Sequence, residues 1–155
     1  AADEARHFEL LAARLAGLGH RYGDLPAHNG LWEAACRTAD DCLKRMALVP
    51  RVLEARGLDV TPGMIERLRD VGDHDTVAVL EVILAEEVAH VAAGTRWFHH
   101  CCAAAGVDPE PTFLDLLRRY EAVIRPPFNR AARAEAGFTV SEQAGVEALV
   151  PGRDR

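Results

Sequence analysis

From Asp75 to Ala105 the chain contains no proline and a single glycine, Gly94, while apolar residues return every third or fourth position. That spacing is the period of an α-helix, and alternation with a period of two is scarce anywhere in the sequence. At 1.5 Å per residue the segment predicts a rod about 45 Å long. One amphipathic rod cannot bury its own apolar face, so other helices must pack along it. The periodicity predicts two. One runs from Ala2 to Leu18 and ends at Gly17 and Gly19; the other runs from Asp41 to Gly57, opened by an Asp pair and closed by glycine. The expected fold class is all-α, a helical bundle.

Smaller elements fill the gaps. The loop "GHRYGDLPAHNG" precedes a short helix over Leu31 to Arg37. The segment between residues 18 and 41 should cross the bundle rather than turn tightly. "TPGMIERLRDVGD" reads as a short helix capped by Thr61 with Pro62 in its first turn. Pro50 lacks the N–H that would bond the carbonyl of Met46, so a kink is expected one turn before Glu54. The tail holds "PEPTFLDLLRRYEAVI", the pair Pro126 and Pro127, a short helix in "FNRAARAEAG" and a final amphipathic turn or two after Ser141. Nothing marks a domain boundary, so residues 1–150 read as one domain and 151–155 as a loose end.

Composition narrows the function classes. A chain of 155 residues can bury a real core. Its net charge of −6 gives no support to a nucleic-acid or acidic-membrane partner. Charges interrupt every apolar stretch before the ~18 residues a membrane span needs. The four cysteines form no CxxC, and in "HHCC" at 99–102 successive helical side chains diverge by ~100°, too far to share one ion. A reduced, cytoplasmic protein is the expectation. His99 and His100 are read as rim or solvent residues.

The polar residues on the apolar stripes carry the chemistry. In the first helix the stripe Phe8, Leu11, Leu15 and Leu18 projects back through Glu4 and His7. In the Asp41–Gly57 helix the stripe Leu43, Ala47 and Pro50 continues into Glu54. In the long helix, Leu80, Ile83, Gly94, Trp97 and Cys101 leave a gap filled by Glu87 and His90. Carboxylates on core-facing stripes are costly unless paired or bound to a metal. Glu and His three apart share one helix face. Two such pairs with single carboxylates from other helices make the ligand set of a dinuclear site in a four-helix bundle. Mixed carboxylate and imidazole donors suit iron or manganese. The competing reading is two surface pairs, with Glu54 in an ordinary ion pair to arginine. His20, Tyr22, His28 and Trp32 read either as turn and loop-anchoring residues or as part of a loop over one end of the bundle. In the second case Tyr22 and His28 are substrate-entrance candidates.

"DEARHF" and "EEVAHV" resemble the helix motifs of ferritin-like diiron proteins. There an acid precedes the ligand Glu and hydrogen-bonds a ligand His, which assigns that role to Asp3 and Glu86. More closely, "ARHFELLAARLAGLGHRYGDLPAHNGLWEAA", "MALVPRVLEARGLDVTPGMI", "EVILAEEVAHVAAGTRWF" and "PPFNRAARAEAGF" resemble the bacterial domain-of-unknown-function family numbered 455. The resemblance implies a ferritin-like bundle with Glu4, His7, Glu54, Glu87 and His90 as ligands. That pattern places a helix with its own Glu before the first Glu-x-x-His. Residue 4 is already that Glu, so the chain lacks the first bundle helix and holds five of six expected ligands. A fragment of a longer protein is the expectation; Glu33 or a second chain filling the gap is the alternative.

The implied cofactor is two iron ions, with manganese or a mixed iron/manganese pair as variants. The implied activity is an oxygen-activating oxidoreductase or hydroxylase acting on a small molecule. A tRNA substrate, known among ferritin-like hydroxylases, finds no support in the charge. The alternatives are iron handling by ferroxidation or storage, and a metal-free helical interaction module. Oligomeric state is not legible.

Overall fold

The computed structural model describes residues 1–120, 122 and 124–151, and among them it contains helices and no strand. The α-helices are α1 (Ala2–Gly17), α2 (Gly30–Arg37), α3 (Cys42–Leu48), α4 (Ala55–Asp70), α5 (His74–Ala105), α6 (Pro109–Arg119), α7 (Arg130–Glu135) and α8 (Val140–Glu147). A π-helical segment, Val49–Glu54, joins α3 to α4, so residues 42–70 form one continuous rod.

Two breaks expected in that rod do not occur. Gly57 does not end the helix, and Thr61 does not begin a new one; both lie inside α4 with Pro62. Proline inside a helix strands the carbonyl four residues back. Here that carbonyl belongs to Leu58, and the Asn129 side-chain amide donates to it at 3.2 Å. Burial of Ala55, Leu58 and Ile65 along one face then carries the helix through. At Pro50, where the sequence predicts a kink, the rod passes into the π segment, whose wider turn re-phases the residues that follow.

Pro50 also explains the glycine in the long helix. A Cβ added at Gly94 would lie 2.3 Å from the Pro50 Cβ, so only glycine allows α5 and the rod to approach this closely. From one end of the seam to the other, Cys42 meets Cys101, Pro50 meets Gly94 and Arg69 meets Glu81. The two rods are therefore antiparallel. Also along α5, His7 meets Glu86 and Arg14 meets Asp73 and Thr76. Helix α1 is thus antiparallel to α5 and parallel to the rod, so the connection between α1 and α3 returns along the bundle. Helix α2 lies on that return path, against the π segment.

The core occupies one half of the molecule. Ala47, Leu48, Val52, Ala55 and Leu58 of the rod pack with Val91, Phe98 and Cys102 of α5, and α6 to α8 cover them with Phe113, Leu117, Phe138 and Val146. At its centre the Arg51 guanidinium sits 4.8, 4.1 and 4.5 Å from the ring centres of Phe98, Phe113 and Phe138. It pairs with Glu142 at 2.7 Å, and both side chains are fully buried.

Two apolar stripes differ from expectation. Phe8, Leu11 and Leu18 are exposed, because among the described residues α1 packs mainly on α5 and presents His7 and Arg14 to it. Trp97 is also exposed, and Phe98 takes the core position one helical step away. His99 and His100 are exposed. Among the described residues no helix is long and apolar enough to cross a membrane. Pro151 is exposed, and the rest of the expected loose end, 152–155, lies outside the described residues.

Candidate metal centre

Glu4 and His7 stand one turn apart on α1, and Glu87 and His90 one turn apart on α5. Antiparallel packing brings the two turns face to face, and one donor atom from each of the four residues lies within 4.8 Å of all the others. His90 Nδ1 is 2.8 Å from Glu4 Oε1 and 3.5 Å from Glu87 Oε2; His7 Nδ1 is 3.7 Å from Glu4 Oε2. In both histidines the Nδ1 edge faces the carboxylates of the cluster.

The Nε2 edges face away, toward a second layer of acids. His7 Nε2 lies 2.7 Å from Glu86, and His90 Nε2 lies 3.2 Å from Asp3. A carboxylate can only accept, so each holds the tautomer in which Nε2 carries the proton and Nδ1 offers a lone pair. The Nδ1 of His90 is buried and, among the described residues, has no hydrogen-bond partner, although Glu4 Oε1 lies 2.8 Å away. Such a nitrogen, aimed at carboxylates, has the environment of a metal ligand.

Arg6, which the sequence reading did not single out, spans the outer layer. It donates to Glu86 at 2.6 Å and to Asp3 at 3.2 Å. Arg6, and then His7, hold the Glu86 carboxyl below the usual range; His90, and then Arg6, do the same for Asp3. The signal was present in "DEARH", where Arg6 stands three residues after Asp3 on one helix face. The inner layer differs in kind. Among the described residues no Lys or Arg pairs with Glu4, Glu54 or Glu87.

Glu54 stands apart from the four-residue cluster but lines the same groove of about 440 Å³, with Glu4, Glu87, Leu31, Val49 and Leu53. Burial, and then the charges of Glu87 and Glu4, push its carboxyl upward; Glu87 is raised by burial and by Glu4. At His90 burial favours the neutral ring, but Asp3, Glu4 and Glu87 together outweigh it and raise its pKa. Exposure is uneven: the His7 side chain is 6% exposed, Glu87 14% and Glu4 59%. The expectation that Glu4 is core-facing is corrected by this last figure, since the groove is open on the α1 side.

The remaining candidates lie elsewhere. Glu33 lines a different cavity of about 290 Å³ with Arg37, Leu53 and Tyr120. Tyr22 is exposed and meets the Phe8 ring edge-on at 5.4 Å. His28 accepts from the Gly30 backbone N–H at 3.2 Å, a turn contact. Neither Tyr22 nor His28 lines the groove; Leu31 does.

Residues 1–144 match a family model described as "Protein of unknown function (DUF455)". A protein of Haemophilus influenzae (strain ATCC 51907 / DSM 11121 / KW20 / Rd), described only as "Uncharacterized protein", is 46% identical over 143 residues, 92% of this chain and 50% of its own length. The chain therefore spans about half the length of the curated relative it matches. No solved structure matches it.

Proposed function

This chain belongs to the DUF455 family, and we propose that it is a dinuclear metal-carboxylate protein of ferritin-like fold, an oxygen-dependent oxidoreductase or hydroxylase. The observation that carries the reading is the buried Nδ1 of His90 within a cluster of carboxylates with which, among the described residues, no Lys or Arg pairs. The cluster's largely buried members, His7, His90 and Glu87, are expensive to bury empty and become favourable around divalent cations.

In this reading Glu4, Glu54 and Glu87 offer oxygen donors, and His7 and His90 offer Nδ1. Asp3 and Glu86 hold the imidazoles in the ligating tautomer, while Arg6 keeps both of those acids ionised. Iron is the proposed metal, with manganese or a mixed pair the variants that mixed oxygen and nitrogen donors also suit. The chemistry that bound iron supplies is reductive activation of dioxygen. Leu31, Val49, Leu53, Ile83 and Leu84 offer the groove an apolar wall, which suits the carbon skeleton of a small uncharged substrate. The exposed stripe Phe8, Leu11 and Leu18 on α1 is a face on which a further bundle helix, bearing a sixth carboxylate, would pack.

The exposure of Glu4 favours a second reading, iron handling, because a hydrated ion reaches an open carboxylate directly. Elemental analysis of the natural full-length protein tests the site. About two iron or manganese ions per chain, lost together in Glu87→Ala and His90→Ala, are expected. A wild-type protein that retains no stoichiometric metal after anaerobic loading would sink the proposal. Oxygen consumption that depends on an added organic substrate then separates hydroxylation from iron handling.

A further inference from the structure

Two thiols meet across the seam between α3 and α5, away from the metal centre. Cys42 is the first residue of α3 and is exposed; Cys101 lies near the end of α5 and is half-buried. The Cys101 thiol donates to the Cys42 sulfur at 3.7 Å. The sulfurs are thus in van der Waals contact and ~1.7 Å short of a disulfide bond. The other two cysteines are differently placed. Cys102 turns ~100° away from Cys101 and is buried in the core, and Cys36 is exposed on α2.

We propose that Cys42 and Cys101 form a reversible dithiol–disulfide site, oxidised by low-molecular-weight disulfides of the glutathione class. Cys42 is the more exposed sulfur and reacts first. Its thiolate attacks one sulfur of the oxidant, the oxidant's S–S bond breaks, and one small thiol leaves with a proton. The mixed disulfide on Cys42 then sits against Cys101. Cys101 gives its proton to solvent and attacks the Cys42 sulfur, and the second small thiol departs. Two protein thiols and one small disulfide become one protein disulfide and two small thiols, a balanced two-electron exchange. Burial and the hydrogen bond to Cys42 raise the Cys101 thiol. This suits a resolving role, in which Cys101 stays protonated until the mixed disulfide is beside it.

The bond would tie the start of α3 to α5, the two antiparallel helices that lead to Glu54 and to Glu87 with His90. It requires no metal and does not depend on the metal reading. The test is metal-free protein equilibrated with graded ratios of oxidised to reduced glutathione, followed by thiol counting and mass mapping of tryptic peptides. The expected result is loss of two thiols, a peptide cross-linked through Cys42 and Cys101, and a rise in Tm of about 5–15 °C for a loop of this length. Cys36→Ser should leave the cross-link intact, and Cys101→Ser should stop the reaction at the glutathione adduct on Cys42. A wild-type protein that stops at that adduct, that joins Cys42 to Cys36 or to a second chain, or that keeps both thiols free would overturn the proposal.

Discussion

His7 on α1 and Glu86 on α5 lie 2.7 Å apart although 79 positions separate them, and His90 and Asp3 repeat the contact in the opposite direction. Each outer acid therefore serves the histidine of the facing helix. The contacts that orient the imidazoles also hold α1 against α5, with Arg6 across both. The orientation of both imidazoles and the docking of α1 on α5 thus depend on the same side chains.

That coupling is measurable at Glu86. Glu86→Gln keeps the shape but removes the charge that fixes the His7 tautomer and anchors Arg6. Manganese(II) affinity, measured by calorimetry, should fall about 10–100-fold while helical content is preserved. Unchanged affinity would mean that His7 needs no outer partner.

Metal should also stabilise the fold. Manganese(II) at about 100 times its Kd, added anaerobically, should contribute ~2.7 kcal/mol and raise Tm by roughly 5–10 °C. Glu54→Ala should largely remove the rise by deleting a proposed ligand, and without metal the variant should be as stable as wild type or more so. Glu33→Ala, in a separate cavity, should leave the rise intact. A shift that persists in Glu54→Ala would place the ion elsewhere.

Arg51 and Glu142 set the stability of the other half of the molecule. Glu142→Ala leaves a guanidinium buried among Phe98, Phe113 and Phe138 without its counter-charge, and should cost about 3–5 kcal/mol. Replacing both partners, Arg51→Met with Glu142→Leu, should recover most of that loss in chemical denaturation. If the double variant is no better than Glu142→Ala, the pair is not an isolated electrostatic unit.

Asp73 gives the fold an acid-sensitive joint. It caps α5 and accepts from Thr76 and from Arg14 of α1. Those bonds, the Thr76 contacts foremost, hold its carboxyl below the ordinary value of 3.8. A lowered pKa means that the folded state binds the proton less readily than the unfolded state. The stabilisation is then complete above 3.8 and is lost as pH falls through the lower folded value. Asp73→Asn keeps a capping residue but no charge. The Tm gap between wild type and variant should be constant from neutral pH to about pH 4 and close below it. A gap that ignores acid would remove Asp73 from the joint.

The residues of the candidate metal centre were legible because they depend on local periodicity. Glu-x-x-His on two apolar helices places an oxygen and a nitrogen on one face whatever the tertiary arrangement, and all-helical content follows from the same spacing. Which acid serves which histidine was not legible. Asp3 with His7, and Glu86 with His90, stand four apart and can face each other on their own helices; only the antiparallel docking of α1 on α5 exchanges them. The continuity of α4 through Gly57 and Pro62 was hidden for a similar reason, because the Leu58 carbonyl is satisfied by Asn129, far along the chain. The exposure of Phe8, Leu11 and Leu18 likewise depends on what packs against α1. Sequence periodicity determines which side chains share a helix face, since that is covalent geometry and helical pitch. What a face meets is decided by the other helices, and the tertiary structure alone sets where they lie.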